Sequence, residues 1–394
     1  MNNNASAHKA SIPNASDPTA SAYKASAPTA AGVAPLLSSA QCTVLRGLAI
    51  IGIFLHNYCH WLGPIVKENE YTYTAANCRR LFEVLASPDW TLPVHLLSFF
   101  GHYGVPIFLF LSAYGLVMKY EKGNRPAPAI VPFVRYHYLK LFKMMMVGFV
   151  AFTIVDAMTP GQWRYTLVNI VAQLGMFNNV MPDPDHIIWP GPFWFFGLML
   201  QLYIIYIVLL NRGGWKTLAA LVLACWAMQA VCDPESETLN RIRYNFMGGI
   251  MPFALGLLAA RYGARFATVD KAQWAAVLVL SGAAVFAFSF SYQLWFWAPF
   301  FVCTFSVALA KLMKSDATEQ GMGHWLLWVG RVSAALFVIH PVTRKIFIPI
   351  SRRGDIYTGL LLYILASLAL AWLCSEVMKK IPNPKLKVKE HENT

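Results

Sequence analysis

Long apolar runs, separated by short polar stretches, recur along the chain from about residue 40 onward. A helix of about 20 apolar residues, rising 1.5 Å per residue, crosses the roughly 30 Å hydrocarbon core of a bilayer. We predict spans near residues 44–63, 95–119, 138–158, 192–211, 215–232, 245–262, 272–290, 294–313, 326–347 and 357–378. The shorter, more polar stretch 163–180 predicts an interfacial helix within a loop. The pattern indicates an all-α, polytopic integral membrane protein with about ten transmembrane helices.

The two ends of the chain lack this apolar pattern. Residues 1–38 are rich in Ala, Ser, Pro, Asn and Thr and contain near-repeats such as ASDPTA and ASAPTA. Such a segment buries too little apolar surface to offset the entropy lost on ordering. We predict a disordered cytoplasmic tail over 1–38, a transmembrane domain over 39–380 and a charged cytoplasmic tail over 381–394.

Composition narrows the class of protein. Hydrophobic residues make up 57% of the 394 residues and charged residues only 13%, whereas soluble domains carry roughly 25% charged residues. This excludes an ordinary soluble enzyme, a disordered protein and a secreted disulfide scaffold. The seven cysteines form no CxxC pair and fall mostly in apolar stretches, which favours a packing role. A bridge between Cys78 and Cys232 stays open as an alternative.

The net charge of +13 indicates an orientation in the membrane rather than a nucleic-acid partner. The basic residues lie between apolar runs and form no face-wide patch, so we expect no binding of nucleic acid. Loops rich in Lys and Arg face the cytoplasm, which places both termini there. One basic cluster falls on the opposite side in a ten-span arrangement, so it either binds an anion or indicates a wrong span: Arg344, Lys345, Arg352 and Arg353.

The first apolar run, LRGLAIIGIFLHNYCHWLGP, carries ionisable residues that are costly inside a bilayer and are therefore functional candidates. Along an ideal helix His56 lies about 15 Å, and His60 about 21 Å, from Arg46. At about 100° per residue, Asn57 and His60 return closer to the Arg46 face than His56 does, unless a π-bulge realigns the helix. Imidazole titrates near neutral pH, so either histidine suits a general base. Interface snorkelling by Arg46 and hydrogen bonding between helices are the structural alternatives.

Five motifs resemble, in order, those of membrane acyltransferase family 3. They are LRGLAIIGIFLH, GHYGVPIFLFLSAYGL, PFVRYHYLKLF, PFWFFGLMLQLYIIY and WVGRVSAALFVIHP. The resemblance implies a ten-helix O-acyltransferase of the bacterial cytoplasmic (inner) membrane, with residues 39–380 as its acyltransferase domain. It also implies transfer of an acyl group, usually acetyl, from cytoplasmic acyl-CoA to a hydroxyl of a carbohydrate or lipid-linked glycan. Acyl-CoA is then a co-substrate, and no permanently bound cofactor is expected.

The same resemblance assigns roles to residues. Arg46 and His56 match the first-helix Arg and His of the family, which usually lie one residue further apart, and His60 stays an alternative catalytic base. At the entry to the third span, where the family has two arginines, the predicted residues for binding the coenzyme A phosphates are Arg135, His137, Lys140 and Lys143. The predicted residues of the substrate cavity are Asn57, Ser112, Trp194 and His340.

Other functions and sites remain as alternatives. No metal is expected, because the HNYCH segment lacks the Glu of a metalloprotease HExxH motif. A secondary transporter explains many helices with polar midplane residues, but the halves of the chain show no similarity and transport leaves the basic cluster unexplained. A related membrane family that N-acetylates glucosamine termini has a similar first helix, whereas the late His-Pro motif favours family 3. Acceptor specificity is expected in the outer loops 64–94 and 159–191.

Overall fold

The computed structural model describes residues 35–122, 126–266, 268–313 and 321–386. These ranges are helical and contain no strand. Nearly all of the predicted tail 1–38, and most of the tail 381–394, lie outside the described residues. The first helix begins with a capping box, in which the Ser38 hydroxyl accepts from the Gln41 amide and the Gln41 side chain accepts from the Ser38 amide.

The helices follow one another along the chain and are joined by short loops. Their bounds are α1 Ser39–Cys59, α2 Ala75–Ala86, α3 Leu92–Phe100, α4 Gly104–Tyr120, α5 Ile130–Met158, α6 Leu167–Leu174, α7 Pro184–Ile187, α8 Trp194–Ile205, α9 Trp215–Ala230, α10 Glu237–Arg243, α11 Phe246–Tyr262, α12 Lys271–Phe288, α13 Tyr292–Trp295, α14 Ala298–Leu312, α15 Gly321–Arg352 and α16 Ile356–Lys380. A 3-10 turn, Gly101–Tyr103, joins α3 to α4, and a π-helical turn, Tyr206–Leu210, ends α8.

Each of the ten predicted spans overlaps a helix. In the described part of the chain, 8 helical segments are long and apolar enough to cross a membrane. The spans predicted at 215–232 and 294–313 hold the shorter helices α9 and α14, of 16 and 15 residues. The stretch 163–180 holds the short helix α6 flanked by loop and turn segments. The fold class is confirmed as an all-α polytopic membrane protein.

The ninth predicted span, 326–347, is too short. Helix α15 continues to Arg352, so the basic cluster lies mostly on a helix rather than in a loop. The helix continues because its charged side chains find partners on neighbouring elements. Lys345 pairs with Asp156 of α5 at 2.7 Å, and Arg352 donates to the Trp61 carbonyl at 3.1 Å. The predicted span therefore lies on a helix of the structure, and only its predicted C-terminal end lies too early in the chain.

Helix α1 packs against α3, α4 and α15. Small residues let helices in a membrane protein approach closely. One such close approach lies where Gly52 of α1 meets Gly101, the residue that follows α3. A Cβ atom added to Gly101 would lie 2.6 Å from the Gly52 carbonyl oxygen and 2.7 Å from the His56 Cβ. This contact holds the His56 region of α1 directly against the α3–α4 junction.

The cysteines serve packing, as the sequence predicts. All seven are free thiols, and each except Cys232 is buried. The Cys78 sulfur lies 3.5 Å from the Tyr73 hydroxyl, while the Cys232 thiol donates to the Met228 carbonyl of its own helix at 3.2 Å. The alternative bridge between Cys78 and Cys232 is therefore absent from the structure.

Candidate active site

A cavity of about 490 Å³ lies beside α1. Its wall includes Arg46 at one end and His60 at the other, residues about 21 Å apart along a helix. Lys119 and Lys140 line it near Arg46, and we call this the basic end. At the other end the segment 60–75 contributes Trp61 and two glutamates, and we call this the loop end. The cavity therefore extends along most of the length of α1.

Most of the predicted site residues line this cavity. They are Arg46, His56, Asn57, His60, Ser112, His137, Lys140 and Trp194. Arg135 is exposed and lies two residues before His137, about 200° around α5 from it. Lys143 donates to the Ile381 carbonyl at 2.6 Å instead. His340 does not line this cavity; it is fully buried, with Nδ1 3.1 Å from the Leu336 carbonyl oxygen of its own helix.

His56 is held in one tautomer by its surroundings. Its Nδ1 lies 2.7 Å from the Ser98 carbonyl oxygen. Because a carbonyl only accepts, Nδ1 must carry the hydrogen. The lone pair then remains at Nε2, which lies 3.8 Å from Glu68 Oε1 and 3.9 Å from Glu70 Oε2. The residue is 3% exposed, so the imidazole is a preoriented, sheltered proton acceptor.

Glu68 supplies an anion beside the imidazole. Its carboxylate accepts from His60 Nδ1 at 3.0 Å. Burial acts to raise the pKa of the Glu68 carboxyl, but the adjacent His60 and His56 rings outweigh it, and the pKa lies well below its ordinary value. An ionised carboxylate next to His56 stabilises the imidazolium that forms when Nε2 takes a proton. His60 is thus linked to His56 both through Glu68 and by direct ring contact, with ring centroids 4.7 Å apart.

Glu70 supplies a second carboxyl group in the opposite state. Burial, together with the charge of Glu68, raises the pKa of Glu70 to about 8. At neutral pH the Glu70 carboxyl therefore keeps its proton while Glu68 is ionised. Two neighbouring carboxyls of different protonation state are typical of acid–base sites.

The protonation of Glu70 predicts a pH-dependent stability. Its pKa in the folded protein lies above the value of 4.5 expected when unfolded. Between those values the folded protein holds a proton that the unfolded chain releases, so the free energy of unfolding falls as pH rises from about 4.5 to 8. We expect the melting temperature of the wild type to fall relative to that of Glu70→Gln across this window. Parallel melting curves for the two proteins would contradict the assignment.

The segment 60–75 is fixed over the cavity by bonds to three separate helices. The Ser98 hydroxyl donates to the Val66 carbonyl at 2.6 Å. The indole N–H of Trp295 donates to the Asn69 carbonyl at 2.8 Å, and the Arg243 guanidinium donates to the Glu70 carbonyl at 2.7 Å. Buried carbonyl groups on an irregular segment need such partners. These bonds hold the Glu68 side chain in place without contacting it.

The basic end carries charges that lack protein counter-ions. Within the described ranges, Arg46 and Lys140 make neither a hydrogen bond nor an ion pair. His137 lines the same cavity, with Nε2 3.3 Å from the Tyr120 hydroxyl. Cations that line a cavity without a carboxylate partner form a binding site for an anionic ligand, and phosphate oxygens are well suited to it.

The histidine–glutamate group also has the composition of a metal site. His56, His60 and Glu68 offer ligand atoms within 4.8 Å of one another, and two histidines with one glutamate are a known zinc ligand set. His60 Nδ1 and Glu68 Oε1 are hydrogen-bonded to each other, while His60 Nε2 and Glu68 Oε2 are buried without a hydrogen-bond partner among the described residues. The expectation of no metal therefore stays a prediction.

Sequence reasoning missed several residues of the wall. Glu68 and Glu70 lie in KENEY, directly after the first span, where paired carboxylates in a predicted outer loop were the available signal. His102, in the GHYG turn, has its ring 5.7 Å from that of His56. Tyr71 stacks on Tyr244 with ring centroids 3.8 Å apart. These side chains extend the site beyond α1.

The bundle and its cavity define a class of protein, a polytopic membrane protein with histidine and carboxyl groups buried between the basic end and the loop end of one cavity. The chain matches the acyltransferase 3 family model, described as an acyltransferase domain, over residues 41–376. The match covers most of the chain, so the protein belongs to this acyltransferase family, and the resemblance of the five motifs is confirmed. No curated protein and no solved structure matches the chain.

Proposed function

We propose that this protein transfers an acyl group, typically acetyl, from acyl-CoA at the basic end to a hydroxyl of a carbohydrate or lipid-linked glycan at the loop end. One observation carries the proposal: a single cavity contains cations at one end, His56 beside Glu68, and aromatic side chains at the other end. Its volume of about 490 Å³ falls in the usual range of ligand pockets, about 300–1,000 Å³.

The reaction needs one base, whose protonated form is stabilised by a neighbouring anion. The acceptor hydroxyl gives its proton to His56 Nε2 while its oxygen bonds to the thioester carbonyl carbon. Glu68 stabilises the imidazolium, and Ser98 keeps Nδ1 protonated throughout. The tetrahedral adduct then collapses with cleavage of the carbon–sulfur bond. The imidazolium returns the proton to the departing sulfur, so coenzyme A leaves as a thiol and the acceptor leaves as an ester.

The basic end suits the donor because coenzyme A carries a pyrophosphate and a 3′-phosphate. Arg46 and Lys140 lack protein counter-ions there, and His137 lies on the same wall. Acyl-CoA is made in the cytoplasm, and Lys and Arg accumulate on the cytoplasmic side of membrane proteins. We therefore place the basic end and both chain termini on the cytoplasmic side of a bacterial inner membrane, with the loop end outside.

The loop end suits an acceptor with hydroxyl groups. Trp61 and Trp189 meet edge to face with ring centroids 6.3 Å apart, and both line the cavity together with Trp194. Rings of this kind offer an apolar face beside polar groups. An N-acetyltransferase acting on a glucosamine amine would use the same base, so the acceptor alone separates these two reactions.

Labelled acetyl-CoA and purified protein in nanodiscs test the proposal. We expect acceptor-dependent release of coenzyme A and label in an ester product. Arg46→Gln and Lys140→Gln should each raise the KM for acetyl-CoA by about 10-fold, because each removes a charge-assisted bond to phosphate. Lys271→Gln is the matched control, since Lys271 is an exposed lysine outside the cavity wall.

Two outcomes would contradict this assignment. Absence of coenzyme A release with every hydroxyl and amine acceptor would favour the secondary transporter instead. An unchanged KM in both basic-end variants would place the donor elsewhere in the protein.

A further inference from the structure

Arg344 is a buried cation at the loop end of the cavity. It is 5% exposed and lies on α15, in the wall shared with His56 and Asn57. One terminal nitrogen, Nη1, donates to the Asn57 carbonyl oxygen at 3.1 Å, and the Asn57 side-chain oxygen lies 3.4 Å away. The guanidinium carbon lies 5.1 Å from the centroid of the Trp61 ring. These contacts fix the orientation of the side chain.

No carboxylate balances this charge. Among the residues that the structure describes, none lies within 4.0 Å of Arg344 as an ion-pair partner. The three carboxyl groups on the described cavity wall lie beside other partners: Glu68 beside His60, Asp185 beside Tyr244 and Asn240, and Glu70 beside His56. A buried, uncompensated charge costs several kcal/mol, and an ionisable group at membrane depth is retained mainly for function.

The neighbouring basic residues behave differently. Lys345 is paired with Asp156 at 2.7 Å. Arg352 also stands over Trp61, at 5.9 Å from the ring centroid, but it is exposed and its guanidinium donates to the Trp61 carbonyl. Only Arg344, of these three helical cations, is both buried and on the cavity wall without a counter-ion.

We propose that Arg344 binds an anionic group, a carboxylate or a phosphate, carried by the acceptor next to the hydroxyl that is acylated. A guanidinium has five N–H donors in a planar fork, and Asn57 occupies only one nitrogen. The remaining donors suit the paired oxygens of a carboxylate or phosphate. Because Asn57 follows His56 in the chain, an anion held there places a neighbouring hydroxyl beside the catalytic base. This inference rests on the proposed function and narrows its acceptor to acidic sugars or sugar phosphates.

Matched acceptors test this inference, with acetyl transfer measured as kcat/KM. The neutral probe is methyl glucoside, the carboxylate probe is methyl glucuronide, and the phosphate probe is glucose 1-phosphate. We expect the wild type to prefer at least one anionic probe over the neutral one by about 10-fold or more, about 1.4 kcal/mol. The probe that is preferred distinguishes a carboxylate acceptor from a phosphate acceptor.

The variants locate the preference. In Arg344→Gln the ratio of anionic to neutral kcat/KM should fall to near unity, and in Arg344→Lys, which keeps the charge but loses the fork, it should fall partly. Arg352→Gln, which changes the exposed arginine over the same Trp61 ring, should keep the wild-type ratio. If Arg344→Gln lowers both rates equally, Arg344 acts on the transition state or on folding, and the proposal is overturned. A wild type without preference for either anionic probe overturns it too.

Equilibrium binding separates this inference from the proposed function. Binding of the three probes is measured without acetyl-CoA, on wild type and Arg344→Lys. If acetyl-CoA supports no transfer but an anionic probe still binds more tightly to the wild type than the neutral one, the proposed function fails while the anion site stands. If transfer occurs with equal use of all probes, the proposed function stands and the anion site fails.

Discussion

Replacing His56 by alanine is expected to lower the rate of acyl transfer by about 10²–10⁴-fold, the usual contribution of a positioned general base. In the proposed reaction the Nε2 atom accepts the hydroxyl proton, and the variant removes this atom. Coenzyme A release by the purified protein in nanodiscs gives the measurement, and size-exclusion profiles verify that the variant is folded. His186→Ala is the control, because His186 is an exposed histidine outside the cavity wall.

The same assay decides between the two histidines of the first helical region. His60 Nδ1 is hydrogen-bonded to Glu68, and its ring lies 4.7 Å from the His56 ring. In the proposed reaction His60 supports the base rather than acting as the base, so His60→Ala should cost far less than His56→Ala. Retained turnover in His56→Ala together with loss in His60→Ala would move the base to His60. Abolition of wild-type activity by EDTA, with recovery on adding zinc, would instead make both histidines metal ligands.

Gly101→Ala is expected to lower the rate by about 10²-fold, a typical cost of displacing a catalytic group by about 1 Å. The added Cβ would lie 2.6 Å from the Gly52 carbonyl oxygen and 2.7 Å from the His56 Cβ. Main-chain oxygen cannot move aside by changing rotamer, so α1 must shift away from the α3–α4 junction. That shift moves His56 relative to both the Ser98 carbonyl and Glu68.

Gly63→Ala provides the matched control, since an added Cβ there meets no heavy atom within 4 Å. Both variants are compared by coenzyme A release and by melting temperature. A Gly101→Ala protein with the wild-type rate would show that α1 tolerates the displacement. The prediction that the Gly52–Gly101 contact positions His56 for catalysis would then be wrong.

The class of helical polytopic membrane protein could be predicted because the length of the apolar runs carries that information. The end of α15 could not. Its extension to Arg352 depends on Asp156 for Lys345, and a pairing between residues so far apart in sequence leaves no local signal. The sequence alone shows Arg344 only as part of a basic cluster on the side opposite the cytoplasmic Lys and Arg residues. The structure places Arg344 on the cavity wall.

The candidate base could be predicted from the cost of an ionisable residue in an apolar run, but its partners could not. Ideal helical periodicity favours Asn57 and His60 on the Arg46 face, yet His56 also lines the cavity, and α1 is α-helical throughout without a π-bulge. The cavity is therefore wider than one helical face. The acceptor for His56 Nδ1 is a main-chain carbonyl, and every residue has one, so the sequence gives no signal for it. Glu68 lies near His56 only because the segment 60–75 folds back over the cavity.

Ser98 contacts the active centre through two different groups. Its carbonyl oxygen accepts from His56 Nδ1, whereas its hydroxyl donates to the Val66 carbonyl in the segment that carries Glu68. Swinging that segment outward to admit a bulky acceptor would break the hydroxyl bond but not the carbonyl bond. The hydrogen on His56 Nδ1 therefore does not depend on the position of that segment, whereas the Glu68 carboxylate and the bonds from Trp295 and Arg243 do.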